Sequence, residues 1–567
     1  MLLKTGIRRR GAVVAGVAAL GLALAACSGG GSDGANKGGS STGGGKNSTL
    51  IAYTGQAGDY QINFNPFSPS RIGALGTIYE PLFFFNKAKV GDPVPLLGTE
   101  QSWNADGTEL SVTLREGVKW SDGQPFTAKD VAFTFTLLKE HPSINSGGFD
   151  GTVTAVDDTH VKLTFKQPAF VKGPDLLGTP IVPEHLWKSV DPVKDVIEKP
   201  VGTGAYLLDS FKPQAFTYKA NPTYWGGEPA VKNIRFLSLS GNQAGADGIA
   251  AGTIDWQTGP IPDMQNTHKN FPRYDAFTQW QSQMVLATCS STAMGCTGPQ
   301  TDPAVRKALY YAIDRDQLNK LAFMQTANAV SPVFTLTPSQ DKFMSSAIAE
   351  KTAPSTAQPD KAAQLLEADG WTKGSDGIYA KDGKKLTLTV EVVTGWTDYI
   401  TALDTMTSQA KAAGIELQTQ QSSWNEWTEK KVSGKFELVI DSLFQGPAAD
   451  PYYLYNYFFD SSSGAKVGKS AGNNYARYDS PEVDTAIDAL AKLPLTDESA
   501  RQPYFDTIQK QIYDDMPYVP ILTGGTTSIW NTAKFGGWPS DSDLYAFPAV
   551  WSALDAAEIF KKIKPVG

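Results

Sequence analysis

Cysteine and histidine are scarce in this chain of 567 residues. It contains three cysteines and four histidines, and the histidines, at positions 141, 160, 185 and 268, are too scattered to pair at metal-ligand spacing. Structural zinc sites are built from closely spaced cysteine and histidine ligands. The sequence therefore argues against such a site, and we predict no metal and no cofactor.

Long apolar runs are also scarce. The first, residues 11–26, is about 16 residues long and falls short of the ~20 that a bilayer-spanning helix needs. Lys4 and residues 8–10 supply positive charge before this run, and Leu24-Ala25-Ala26-Cys27 ends it. This order is typical of a secretory signal peptide, and its end resembles a bacterial lipobox. We predict residues 1–26 as the signal peptide and Cys27 as the lipidated mature N-terminus, with general secretory and twin-arginine export both open.

The segment from 27 to 49 lacks residues that form a core. It is almost wholly glycine and serine with a few polar residues, a composition typical of a flexible tether. A tether directly after a lipidated cysteine spaces a folded body from a membrane surface. We therefore predict a protein on the extracytoplasmic face of a bacterial cell membrane.

Clustered positive charge is lacking beyond the first ten residues. The formal net charge is −8, and loss of the four basic residues of the signal peptide brings it to −12. Nucleic-acid binding depends on clustered lysine and arginine. The sequence therefore argues against a nucleic-acid partner, and we predict none.

Cys289 and Cys296 enclose a short polar segment that contains glycine. Two nearby thiols outside the cytosol tend to oxidise, so we predict a local disulfide. The alternative is a metal or redox pair, which is weakened by the absence of a nearby histidine and of CxxC spacing.

Strand and helix patterns are mixed along the folded region. Apolar residues alternate with polar ones at 110–114, 161–165 and 386–392, which is the period of half-buried strands. Helix starts are indicated by Thr127 with Asp130 and by Asp302 before Pro303, and Gly370 suits the end of a helix. We predict an α/β architecture of two or three lobes, because some 500 residues exceed what a single core holds.

Six phrases occur in the order expected for one known family. They are Tyr79-Glu80-Pro81-Leu82, the stretch 114–131, Val201-Gly202-Thr203-Gly204-Ala205-Tyr206, Asn221-Pro222-Thr223-Tyr224-Trp225, the stretch 305–315, and Asn473-Asn474-Tyr475-Ala476-Arg477-Tyr478. Together they resemble the family 5 extracytoplasmic solute-binding proteins of ABC importers, which include oligopeptide-, dipeptide- and nickel-binding proteins.

The resemblance implies a two-lobed periplasmic-binding-protein fold of the large three-subdomain type, with a hinge between the lobes. Mapped onto this chain, lobe I comprises 50–287 and 520–567, with an inserted subdomain at about 86–199, and lobe II comprises 288–519. It also implies a monomer that binds a small polar ligand between the lobes and delivers it to membrane permease subunits.

The ligand class stays open at this point. In peptide binders of the family a carboxylate shortly before an Asp-Pro-like step pairs with the α-ammonium of the peptide, but Pro447 stands there in this chain, and Asp450 follows. The aromatic residues at 452–458 and a phrase at 63–67 resemble features of oligosaccharide binders. We rank an oligopeptide first, a β-linked oligosaccharide second, and nickel, haem or another ligand last.

Residues distant in sequence are predicted to form the binding site. Two come from the start of lobe I, one from near the crossing between the lobes and three from lobe II: Asn65, Phe67, Trp280, Trp396, Asp450 and Tyr452. Trp280 and Trp396 are flanked by polar residues, which favours a cleft over a core position. The structural alternative for Asp450 is a turn or helix start before Pro451.

The competing class of function is an enzyme, specifically a secreted serine hydrolase. Residues 468–472 fit the pattern GxSxG. A nucleophile elbow needs a strand before the serine and a helix after it, and the flanking residues favour neither. We predict no catalytic residues.

Overall fold

Alternating apolar residues form strands where their period predicts them. In the computed structural model, strand Glu109–Leu114 buries Leu110, Val112 and Leu114 and leaves the intervening residues half-buried. The structure describes residues 48–55, 58–68, 71–73, 75–259 and 261–566, without the side chains of 424 and 425. The signal peptide, Cys27 and most of the tether lie outside the described residues.

The described residues form both kinds of element throughout the chain. The strands are β1 Thr49–Tyr53, β2 Phe83–Phe84, β3 Val94–Pro95, β4 Gly98–Trp103, β5 Glu109–Leu114, β6 Thr152–Ala155, β7 His160–Thr164, β8 Tyr206–Lys212, β9 Ala215–Ala220, β10 Asn233–Leu237, β11 Trp256–Thr258, β12 Tyr274–Thr288, β13 Thr372–Lys373, β14 Tyr379–Lys381, β15 Lys384–Lys385, β16 Thr387–Val393, β17 Glu416–Ser422, β18 Leu438–Leu443, β19 Tyr518–Asn531, β20 Phe535–Gly536 and β21 Lys564–Pro565.

Two of the helices, Ala128–Glu140 and Pro303–Ala312, begin at the residues that the capping patterns indicate. In chain order the helices are α1 Ala128–Glu140, α2 Gly173–Leu177, α3 Glu184–Trp187, α4 Asn242–Ala251, α5 Thr267–Asn270, α6 Pro303–Ala312, α7 Arg315–Leu321, α8 Pro359–Ala368, α9 Thr397–Ala412, α10 Trp424–Ser433, α11 Pro451–Phe458, α12 Pro481–Leu490, α13 Glu498–Asp515 and α14 Ala553–Lys562. Thr127 and Asp130 form a capping box at α1, and Asp302 caps α6.

One ten-stranded sheet runs through the molecule, in the order β17-β16-β18-β12-β19-β11-β1-β10-β9-β8. Its two central strands, β12 and β19, are 15 and 14 residues long and pair antiparallel along their length. On one side of them β16 is parallel to β17 and β18, and on the other side β1 is parallel to β10 and β11. The carboxyl ends of each parallel set therefore meet at one edge of the sheet.

The pairing of β12 with β19 is interrupted at two places. Register shifts lie between Trp280 and Ser282 and between Met284 and Val285. A shift of this kind leaves one residue out of the ladder and bends the strand. Gln281 is the residue left out at the first shift, and Gly524 and Gly525 lie opposite it on β19.

Separate apolar cores lie on the two sides of the central strands. One packs around β1, β9, β10 and α14, and two others pack on the faces of β16 and β18. A fourth core covers the small sheet β4-β5-β7-β6 and helix α1, within the range predicted for the inserted subdomain. The boundaries of the lobes stay a prediction.

Candidate functional site

A cavity of about 1190 Å³ lies where several distant segments meet. Thr54 follows strand β1 and Phe444 follows strand β18, so the carboxyl edges of both parallel sets contribute to its wall. The other lining residues are Val193, Phe216 and Phe236 and members of the ranges 60–87, 138–147, 174–180, 281–282, 445–447 and 550–560. The bulged residue Gln281 therefore faces the same space as the two sheet edges.

Two aromatic rings of the cavity wall are unusually exposed. Phe444 is 47% exposed and Trp551 is 50% exposed. Phe67 and Phe85 add further half-buried rings. Rings left open inside a cavity offer flat apolar faces to a ligand, whereas most aromatic residues of this chain pack in its cores.

Two cationic side chains of the wall, Lys87 and Arg71, differ in the hydrogen bonds and ion pairs that they make with the protein. Lys87 donates to the hydroxyl of Ser552 at 2.6 Å and lies 3.3 Å from the carboxylate of Asp555. Arg71 is exposed and donates from Nη1 to the carbonyl of Ser68 at 3.0 Å. Arg71 therefore keeps most of its five donors for another partner.

Asp175 is a carboxylate of the wall that lacks a partner within the described part of the chain. It lies in helix α2 and is half-buried. Burial raises its pKa from the ordinary 3.8 to about 6, because the charged form loses hydration and no nearby cation replaces it.

Asn65 and Phe67, the two predicted ligand residues from the start of lobe I, have different surroundings. The amide of Asn65 is fully buried and donates to the carbonyls of Pro192 and Asp195, both at 3.0 Å. Its oxygen accepts from the backbone N–H of Phe67 at 3.0 Å. Asn65 thus holds the loop that places the ring of Phe67 in the cavity wall.

Asp450 and Tyr452 lie in the interior of the second half of the molecule. The carboxylate of Asp450 binds Arg501 and caps helix α11 through the N–H of Tyr452. The ring of Tyr452 is buried and contacts that of Tyr453 edge-on, with centroids 5.4 Å apart. In the described structure neither residue lines the cavity.

The two predicted tryptophans are half-buried and engaged with the protein. The indole N–H of Trp280 donates to the carbonyl of Thr326 at 3.2 Å, while its neighbours Gln281 and Ser282 line the cavity. Trp396 packs edge-on against Tyr399 and Trp427, with centroids 5.4 and 5.1 Å apart. Of the six predicted ligand residues, Phe67 alone lines this cavity of the described chain.

Asp175, Phe444 and Trp551 were not among the predicted site residues. Phe444 stands three residues before Pro447, in the segment that the family resemblance singled out, so it offered a signal. Asp175 follows Gly173-Pro174 and reads as an ordinary turn residue, and Trp551 lies in a loop near the C-terminal end. Their role in the wall depends on contacts between distant segments.

The remaining predicted sites are outside the cavity. Cys289 and Cys296 form a disulfide in the structure, with their Cα atoms 5.5 Å apart. The GxSxG segment at 468–472 lies in a loop, without a strand before it or a helix directly after it. The described residues contain no group of three or more potential ligands arranged for a metal ion, and none of their helices is long and apolar enough to span a bilayer.

Comparison with known proteins agrees with this architecture. The family model for bacterial extracellular solute-binding proteins, family 5 (middle region), matches residues 92–465. Protein XP55 of Streptomyces lividans is 31% identical over 425 residues, which are 73% of this chain and 72% of that protein. The nickel-binding periplasmic protein of Escherichia coli is 24% identical over 478 residues, which are 81% of this chain and 86% of that protein.

Solved structures share the whole fold. The structure of a periplasmic oligopeptide-binding protein from Thermotoga maritima has a TM-score of 0.82 at 24% identity and covers 92% of this chain and 100% of that one. A mannohexaose-bound structure of the same protein has a TM-score of 0.74 at 24% identity, covering 92% of this chain and 99% of that one. These likenesses confirm the predicted α/β fold class of the periplasmic-binding-protein type.

The family model matches more than half of the chain, and this match also establishes the class of function. Proteins of this family are extracytoplasmic, bind small-molecule ligands rather than catalyse reactions, and work with ABC permeases. The non-enzymatic prediction is therefore confirmed by the family. This chain belongs to family 5 of the bacterial extracellular solute-binding proteins and is the substrate-binding protein of an ABC importer.

Proposed function

We propose that the protein is a monomeric lipoprotein that binds an oligopeptide in the cavity at the carboxyl edges of its two parallel sets of strands. The observation that carries the proposal is the wall itself, which combines a carboxylate without a partner among the described residues, an exposed guanidinium and exposed rings around about 1190 Å³. Small-molecule pockets commonly measure about 300–1,000 Å³. A space above that range suits an oligomeric ligand.

Charges of both signs favour a peptide over a neutral ligand. A peptide in its extended form carries an α-ammonium at one end and a carboxylate at the other. Asp175 and Arg71 offer complementary groups in the same wall, and charge-assisted hydrogen bonds of this kind are stronger than neutral ones.

A β-linked oligosaccharide is the second candidate, and the exposed rings of Phe444 and Trp551 favour it. Sugar rings stack their apolar faces on aromatic side chains, and these two offer such faces. The Thermotoga maritima structure with mannohexaose belongs to a protein of the same fold.

Native mass spectrometry of gently purified protein tests the ligand class. Retained masses spaced as amino-acid residues support an oligopeptide, and a hexose-spaced series supports the second candidate. Calorimetric titration with a degenerate pentapeptide library and with β-linked oligosaccharides of two to six units then measures affinity. Binding of the oligosaccharides without any binding of peptides would overturn the oligopeptide proposal.

The lipid anchor is tested in the producing cell. A Cys27→Ser variant lacks the thiol to which lipid is attached, so we expect it to leave the membrane fraction while the wild type stays there. A Ser28→Ala variant serves as the control and should fractionate as the wild type does. A Cys27→Ser protein that remains in the membrane would contradict the lipoprotein assignment.

A further inference from the structure

Asp175 stands out as a charge for which the described part of the protein provides no counter-charge. Its side chain lines the cavity, and among the described residues no donor is bonded to it. Lys172, the nearest cation along the chain, donates instead to the carbonyl of Gly148 at 3.1 Å and to Asp150 at 3.3 Å. A carboxylate accepts hydrogen bonds only, so a donor for Asp175 has to come from outside the described protein groups.

The backbone around Asp175 is held firmly. Leu176 and Leu177 are buried in the core of the small sheet. The carbonyl of Asp175 accepts from the hydroxyl of Thr179 at 2.9 Å, and the carbonyl of Val171 accepts from that of Tyr453 at 2.9 Å. Binding groups placed on supported backbone keep their geometry when a ligand arrives.

In the described structure, the wall segment that precedes α11 has no carboxylate for a cationic ligand group. This segment, 444–447, carries Phe444, Gln445, Gly446 and Pro447, none of which is charged. Asp450, the next acid along the chain, is occupied by Arg501 in the interior. The other acid in the described part of the cavity wall, Asp555, already accepts from Ser552 at 2.6 Å and lies beside Lys87.

We propose that the Asp175 carboxylate is the anchor for a cationic nitrogen of the ligand, which in an oligopeptide is the α-ammonium group. This inference rests on the proposed function and adds the residue that binds the positive charge of the ligand. A lysine side chain of the peptide offers the same chemistry, and the experiment below distinguishes the two sources.

The anchor predicts a dependence of binding on pH. The titratable groups that face Asp175 from α11 are Tyr453 and Tyr457, whose pKa values burial raises, so both stay protonated near neutral pH. Binding of a cation stabilises the charged carboxylate and lowers its pKa. Affinity for a cationic ligand should therefore increase from pH 5 to pH 7.5 as Asp175 ionises.

The test combines a change in the protein with a change in the probe. The probes are a degenerate pentapeptide library with free N-termini, the same library N-acetylated, and a pair of N-acetylated pentapeptides that carry lysine or norleucine at the centre. For wild type we expect acetylation to lower affinity at least about tenfold, the effect of removing one partner of an enclosed charge pair. For Asp175→Asn we expect the free and acetylated libraries to bind within about threefold of each other.

Asp150→Asn is the matched control, because Asp150 lies in the same subdomain with a side chain that is 71% exposed and outside the cavity wall. It should discriminate as the wild type does. Ligand-free Asp175→Asn should melt no lower than wild type at pH 7.5, so that weaker binding is not a folding defect. A preference for lysine over norleucine that Asp175→Asn abolishes would assign the anchor to a side-chain cation.

Two results overturn the anchor without touching the proposed function: peptides bind wild type with no effect of either cation, or Asp175→Asn retains every preference for a cation that wild type shows. If no peptide binds wild type while oligosaccharides do, the proposed function fails first, and the anchor fails with it.

Discussion

The carboxylate of Asp450 is bound by both terminal nitrogens of Arg501, at 2.5 and 3.0 Å, with the two side chains 8% and 0% exposed. The same carboxylate caps helix α11, directly after the segment 444–447 that lines the cavity. This pair therefore anchors the start of α11 behind one wall of the binding site.

Replacement of Arg501 by methionine should lower the free energy of unfolding by about 3–5 kcal/mol, because it leaves the buried charge of Asp450 unpaired. Urea denaturation at pH 7 measures the loss. Lys510→Met removes an exposed partner of Asp514 and should have a much smaller effect. Equal losses in the two variants would show that the buried pair has no special role.

The hydroxyl of Tyr453 connects α11 to the segment that carries Asp175, through the carbonyl of Val171. Tyr453→Phe should lower the affinity for free and for acetylated peptides alike, by roughly two- to tenfold, because one hydrogen bond contributes about 0.5–1.5 kcal/mol. If this bond holds the two segments together, the ligand-bound variant should have a larger radius of gyration than ligand-bound wild type, as measured by small-angle scattering.

Tyr455→Phe is the control for that variant. Tyr455 lies on the same helix, and its hydroxyl donates at 2.8 Å to the carbonyl of Val333. Both variants lose a buried hydrogen bond of the same kind, so their stabilities should fall by similar amounts. Unchanged peptide affinity in Tyr453→Phe would contradict a role of its hydroxyl in binding.

The exposed rings of the cavity should contribute to affinity more than to stability. Phe444→Ala and Trp551→Ala should each weaken binding by about 1–3 kcal/mol, as expected for aromatic anchors of a binding surface. Phe458, whose ring centroid lies 4.9 Å from that of Phe444, is 1% exposed. Phe458→Ala should instead lower stability by about 3–5 kcal/mol, and the reverse pattern would place Phe444 in the core.

Asp175 should make the ligand-free protein less stable as pH rises. Because its pKa in the folded state is raised to about 6, the folded protein holds a proton that the unfolded chain releases near 3.8. Wild type should therefore lose stability relative to Asp175→Asn between pH 4 and pH 7, by about 2 kcal/mol. Thermal melts of both proteins across this range measure the difference, and parallel curves would exclude the raised pKa.

The disulfide between Cys289 and Cys296 closes a short loop. Its removal in a double serine variant should lower the free energy of unfolding by about 2–3 kcal/mol, because the unfolded chain regains the freedom of that loop. Reduction of the wild type should have the same effect. Thiol counting on denatured, unreduced mature protein should detect neither cysteine, and two reactive thiols would contradict the bridge.

Local patterns predicted the secondary-structure elements well, whereas of the predicted ligand residues only Phe67 lines the cavity of the described chain. Alternation at 110–114 and the capping box of Thr127 depend on neighbours a few residues away, so they are visible in the chain itself. Trp280 and Trp396 have polar neighbours in sequence, yet their rings contact Thr326, Tyr399 and Trp427. Polar flanks do not reveal what packs on a side chain from another segment.

The sequence by itself determined the family, the α/β class and the expectation of export, because each depends on ordered local signals. Only the tertiary structure decided which carboxylate has no partner among the described residues. Asp175 follows a proline and Asp450 precedes one, and both read as turn or helix-start residues. The fold brings Arg501, 51 positions away, to Asp450 and brings no described cation to Asp175. Availability for a ligand depends on such long-range partners, which local sequence does not specify.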